Sequence, residues 1–224
     1  MSSSWRAEIL AVLKKEARSE LRSKSGLYTA LLFDISALIA AAFASSTQTL
    51  TPGAISAFLW IVLLFAAVVS LPRAFIIEEE QGTGDLLRLM ARPHAVFWGK
   101  ALFNLAFMAA TAILLSFLFL ILLAPEKTNF GLYFASLVAG CAALAGVVSL
   151  CGALAAQAAH RFMLAGAIAV PLIVPLLAVA VSASQAALGG SALDAGWRAA
   201  GGLAAYAVAS FAIGPHLFAV VWKS

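Results

Sequence analysis

An all-α, polytopic membrane protein with six transmembrane helices is the fold this sequence predicts, and three observations predict it. Of 224 residues, 63% are hydrophobic and 11% charged, with a mean hydropathy of +1.01, a profile foreign to water-soluble domains. Residues 27–46, 54–77, 95–123, 130–159, 163–182 and 199–222 form apolar runs, each near or above the roughly 20 residues that cross a bilayer core. With the N-terminus placed in the cytoplasm, Arg6, Lys14, Lys15, Arg18, Arg22, Lys24, Arg73, Arg88, Arg92, Lys100, Arg161 and Lys223 fall inside. Only Lys127 and Arg198 fall outside, the bias of a positive-inside topology. Both termini are then cytoplasmic. The runs lack the alternation of barrel strands, so helices are expected. The net charge of +4 follows this topology and is no sign of nucleic-acid binding.

Residues 1–26 are expected to form an N-terminal amphipathic helix ahead of a six-helix permease domain over residues 27–224. Trp5, Ile9, Leu13, Ala17 and Leu21 recur every four residues, and basic and acidic residues fill the rest. Such a helix lies in the cytoplasmic interface with its Lys and Arg against lipid head groups, or docks on a partner. Gly26 is expected to end it before the first span. The first apolar run starts only at Leu27, after a segment with three glutamates (Glu8, Glu16 and Glu20), so no cleaved signal peptide is expected.

Between the second and third spans runs RAFIIEEEQGTGDLLRLMARPHAVFWGK, from Arg73 to Lys100. Acidic cluster, glycine turn, amphipathic turn and proline follow one another, and the order points to a structured cytoplasmic element over residues 78–93. Gly82 and Gly84 permit a tight turn. Leu86, Leu87, Leu89 and Met90 supply an apolar face, and Glu78, Glu79, Glu80 and Asp85 offer charge. Pro93 ends the element before the third span. A plain charged loop is the alternative.

The outer connections, 47–53, 124–129 and 185–197, are short; the last, rich in Gly and Ser, is the one sizeable outer loop expected. Ala135, Ala139 and Ala143 make a small-residue ridge on the fourth span, suited to close helix packing. Pro171 and Pro175 share a face of the fifth span and bend it, either as a fixed kink or as a flexing point for gating. Pro215 is expected to kink the sixth.

Few residues carry chemistry. Asp34 is the acid well inside a span, where a charge must face protein or water. It is expected to pair with Lys100 or Arg73 and tie helices together, or else to bind an ion or substrate. His94, His160 and His216 fall near the cytoplasmic side, and none has a second ligand at helical spacing. A haem or metal role stands against the ordinary interfacial histidine. Cys141 and Cys151, ten residues apart on one helix, are too distant to bridge and read as packing residues. No GxxxxGK[ST], HExxH or GxSxG motif occurs, so an ATPase must be a separate chain and an intramembrane enzyme is not expected.

Arg73, Phe75, Glu78, Gly82, Thr83, Leu87, Leu89, Pro93, Gly99 and Lys100, taken in order, resemble the signature region of the CcmB family, the haem exporter protein B of cytochrome c maturation. PLIVP in the fifth span and the region of Pro215 resemble that family too, so nearly the whole chain is covered; Asp34 departs from its usually apolar first span. The resemblance implies the permease subunit of an ABC-type complex in the bacterial cytoplasmic (inner) membrane. Its partners would be a CcmA-like ATPase, which binds the ATP, and CcmC-like and CcmD-like membrane subunits. The assembly serves haem export or release of the haem-loaded chaperone CcmE. Haem would be cargo, with no resident cofactor or metal implied. The ATPase would grip the element around Arg73, Glu78, Glu79, Glu80, Gly82, Asp85, Leu87 and Pro93. Rival readings are a permease of another ABC exporter for lipid, drug or polysaccharide, a secondary transporter or channel, and a scaffold that anchors partners.

Overall fold

The structure, a computed structural model, describes residues 4–23, 25–47, 50–70, 73–123, 127–156, 158 and 160–222. Among the described residues the chain is helical throughout: α1 (Trp5–Ser23), α2 (Ser25–Thr47), α3 (Pro52–Ser70), α4 (Arg73–Glu80), α5 (Gly84–Met90), α6 (Pro93–Leu123), α7 (Phe130–Ala155), α8 (Arg161–Ala187) and α9 (Leu193–Val221). Six stretches are long and apolar enough to cross a membrane: Tyr28–Ser45, Pro52–Ile76, Pro93–Leu123, Phe130–Ala155, Met163–Ala187 and Leu193–Val221. They match the six expected spans to within a few residues, because backbone in lipid has no outlet but its own helix. The protein is a multi-pass membrane protein.

α7 is the central helix. It is apolar on every side, as a helix surrounded by others must be, and it packs against α6, α8 and α9. Glycines set its close approaches. A Cβ on Gly140 would lie 2.1 Å from the Trp60 ring, and one on Gly146 would lie 2.9 Å from Ser210. The expected ridge of Ala135, Ala139 and Ala143 is buried only at Ala143. Several polar side chains inside the bundle are paired across helices, as a site with little water favours. Trp60 donates to Ser184 at 2.8 Å, Asn104 to Ser149 at 2.8 Å, and Ser116 to the Tyr133 hydroxyl at 3.1 Å. Cys141 and Cys151 are buried and unbridged.

Two expectations change. The outer loop expected over 185–197 is mostly helix. Only Leu188–Ala192 separates α8 from α9; Gly189 turns the chain with φ +83°, and Gly196 fits against Leu132 and Ala186. Its glycines serve a tight corner and close packing rather than an extended loop. In α1 the buried stripe is Ile9, Val12 and Glu16, whereas Trp5 and Leu21 are exposed. A strict four-residue spacing outruns the helical repeat, so by Leu21 the stripe has rotated roughly 160° from Trp5. The buried face docks on α6 of the same chain. Gly26 lies within the first turn of α2 and so does not end α1, whose last described residue is Ser23.

α8 runs on through Pro171 and Pro175, both exposed on the side away from the core. Between them the Leu172 carbonyl accepts a hydrogen bond from the Tyr206 hydroxyl of α9 at 3.0 Å. Pro215 is buried inside α9.

Candidate functional site

The site forms where α1, α4 and the head of α6 meet. Gly99 makes the meeting possible, since a Cβ there would lie 2.6 Å from Val12 Cβ and 3.0 Å from the Ile9 carbonyl. With no side chain at that position, α1 lies directly on α6. The next residue, Lys100, is 1% exposed, and among the described residues its ammonium meets acceptors from α1 and α4. Its Nζ is 2.7 Å from Glu78 Oε2 and 3.2 Å from Glu16 Oε1, and it donates to the Ala74 carbonyl. Lys15 closes the ring by pairing with Glu78 and, at 3.1 Å, with Glu16. Among the described side chains two ammonium groups and two carboxylates meet here, and paired charge is the condition under which burial is tolerated. Lys100 also stands 5.5 Å over the Phe75 ring. Burial lowers the Lys15 pKa and Glu16 works against that, with Lys100 adding to the lowering.

Below the ion cluster, aromatic rings fix α4 to α6 and α9. Phe75, Phe97 and Phe218 meet with centroids 5.7 to 5.9 Å apart, and Trp222 lies 5.1 Å from Phe218. From this base the chain turns at Gly82, whose φ of +68° is a conformation that favours glycine. Thr83 N–H then bonds the Glu78 carbonyl at 2.9 Å and its hydroxyl donates to the same oxygen at 3.3 Å, which closes the turn between α4 and α5. α5 ends at Ala91 in extended backbone, and Pro93 opens α6 at its first position, where its missing N–H is harmless.

α5 presents Leu86, Leu89 and Met90 outward, 59%, 86% and 75% exposed. Leu87 turns inward onto the aromatic base, and so belongs to the support rather than to the outer face. Glu78, expected to offer its charge to a partner, is occupied inside by Lys100 and Lys15. The expected Asp34–Lys100 pair does not form. Lys100 is satisfied by nearer acids on α1 and α4, and Asp34 is fully buried with neither carboxylate oxygen hydrogen-bonded among the described residues. The side chains of Arg73, Glu79, Glu80 and Asp85 lie outside the described part of the structure; their backbone places the first three on α4 and Asp85 in the first turn of α5.

Glu16 was not singled out from the sequence. Its signal was there: an acid four residues beyond Val12 and seven beyond Ile9, on the stripe that docks. His94 and His216, unpaired at helical spacing, meet from α6 and α9 with ring centroids 5.6 Å apart.

The model of the CcmB protein family matches residues 7–221. The chain belongs to the CcmB family. Among curated proteins, heme exporter protein B of Bradyrhizobium diazoefficiens is 27% identical over 183 residues, 80% of this chain and 82% of that protein. The CcmB match takes in α1 as well as the spans, and so covers Glu16, Glu78 and Lys100 together.

Proposed function

We propose that this chain is the membrane permease subunit of an ABC-type complex in cytochrome c maturation, driven by a separate CcmA-like ATPase that docks on α5. The observation that carries the reading is the outward row of Leu86, Leu89 and Met90 on a short helix between two spans, anchored from behind by buried charge. Leucines placed outside the spans find no lipid to cover them, and a groove on a soluble partner is their natural seat. The family membership and the relative's name support haem export as the work done; release of the haem-loaded chaperone CcmE is the other form that this work could take. CcmC-like and CcmD-like subunits stand beside the chain in the bacterial cytoplasmic membrane, with both termini inside.

When the ATPase closes on ATP, displacement of α5 passes through the Gly82 turn to α4. From Glu78 it passes to Lys100 on α6 and to Lys15 and Glu16 on α1. A spanning helix and an interfacial helix are thereby biased together between two arrangements.

The test is deletion of the gene followed by haem staining of periplasmic c-type cytochromes, with b-type haem as the control. Loss of c-type haem alone, restored by the wild-type gene and not by a normally inserted Leu86→Asp/Leu89→Asp variant, is expected. Normal c-type cytochromes without a second gene copy would overturn the reading and leave a permease of another ABC exporter.

A further inference from the structure

α6 and α9 run antiparallel at the end of the bundle that carries α5, and three contacts there fall in register. The Arg88 guanidinium lies 5.7 Å over the Trp222 ring, His94 meets His216, and Phe97 abuts Gly214, where a Cβ would stand 2.2 Å from the ring tip. The middle contact joins two metal-ligating side chains that the coupling scheme does not use. His94 sits in the first turn of α6 and His216 follows Pro215 on α9. Both are exposed, with ring planes 73° apart and centroids 5.6 Å apart.

With metal–nitrogen bonds of about 2.0–2.1 Å, two imidazoles on one tetrahedral ion hold their centroids roughly 5 Å apart, and on opposite sides of an ion roughly 6 Å. The observed 5.6 Å lies between these limits, so the ring spacing suits two imidazoles on one ion. We propose that His94 and His216 form a two-imidazole site for a borderline divalent transition-metal ion of the zinc class, with water in the remaining positions. Imidazole is the nitrogen ligand such ions favour. No group of three or more His, Cys, Asp or Glu gathers among the described residues, so the site is open rather than a closed structural cage. A porphyrin between the rings is a poorer fit. One turn away, Gly214 and Phe97 hold the two helices in direct contact and leave no slot for a flat macrocycle. Arg92, the cation nearest to His94 in sequence, is drawn 3.7 Å from Glu8 of α1, and Arg88 is drawn to Trp222.

A bound ion would clasp the start of α6 to the last turns of α9 and so restrain the helix that follows α5. The test uses the full chain, purified without a polyhistidine tag in lipid nanodiscs. It is titrated with Zn2+ by calorimetry and with Co2+ by absorbance, alongside His94→Gln, His216→Gln and His160→Gln variants whose folding is checked by thermal unfolding. One ion per chain is expected. The first two variants should weaken binding by at least the roughly 10–100-fold that loss of an outer-shell partner costs, and the third should bind as wild type does. No binding by the wild-type chain, or undiminished binding in both folded variants, overturns the site. A hemin titration distinguishes the other source of a metal centre: a six-coordinate bis-imidazole spectrum lost in both variants would overturn the cation assignment.

Discussion

Lys100 of α6 reaches 2.7 Å from Glu78 of α4, and both side chains are almost wholly buried. The contact joins the helix that precedes α5 to the head of a spanning helix. Removing one member of a buried pair leaves the other charge uncompensated, at about 3–5 kcal/mol, whereas replacing both by apolar groups is near neutral. Here Lys15 remains for Glu78, and Glu16 for Lys100, so each single loss should fall toward the lower end. Lys100→Met and Glu78→Met are expected to lower the thermal midpoint in detergent, and the double variant to recover much of it. If the double variant loses as much as the two singles added together, the two side chains are not coupled.

Leu87 and Leu89 lie two residues apart on α5 and face opposite ways. Leu87→Asp places a charge against the cluster that holds Phe75, Phe97 and Phe218 and should loosen the aromatic base, lowering stability by about 1–3 kcal/mol. Leu89→Asp exchanges an 86%-exposed side chain and should change stability by less than about 0.5 kcal/mol. c-type haem should nonetheless fall in both. A Leu89→Asp chain that is as unstable as Leu87→Asp would show that α5 does not present the face described.

Gly214 is held to glycine by Phe97. Adding a methyl group there meets the ring at 2.2 Å, an overpacking that costs about 1–3 kcal/mol. Phe97→Leu withdraws the ring tip, so Gly214→Ala should be better tolerated in the Phe97→Leu background than in the wild type. A double-mutant cycle of thermal midpoints measures the coupling, and strict additivity would mean that α9 shifts freely away from α6.

The spans were legible because a helix in lipid needs little more than length and apolarity, and Pro52, Pro93 and Phe130 mark three starts that the apolar runs already bracketed. The Gly82 turn was legible for a similar reason, since the requirement is local. What joins the elements was not. Lys100 stood at the right depth to seek an acid, but Asp34 at a comparable depth drew attention from Glu16, which comes 84 residues earlier in the chain. Only the docking of α1 through Gly99 brings Glu16 within reach. His94 and His216 escaped for the same reason, as spacing along one helix says nothing about a neighbour packed from another. The loop expected at 185–197 failed differently, because glycines that serve a tight corner and close packing read like glycines in a loop.

Asp34 gives the remaining prediction. Its carboxylate is fully buried in α2 and neither oxygen is hydrogen-bonded among the described residues. A buried polar group without a partner costs about 1–3 kcal/mol, and more if charged. Intramembrane acids are seldom kept for stability. Asp34→Asn, similar in shape and without the charge, is expected to raise the thermal midpoint in detergent, while c-type haem yield in complemented cells falls. The two measurements separate the roles open to the residue. A helix-tying ion pair would make the asparagine variant less stable, since its partner would lose the charge it answers to. A carboxylate needed for passing an ion or substrate would make the variant more stable and less active, because removing an unfavourable group helps the fold and removes the function together. Greater stability with undiminished haem attachment would show that the acid serves neither role.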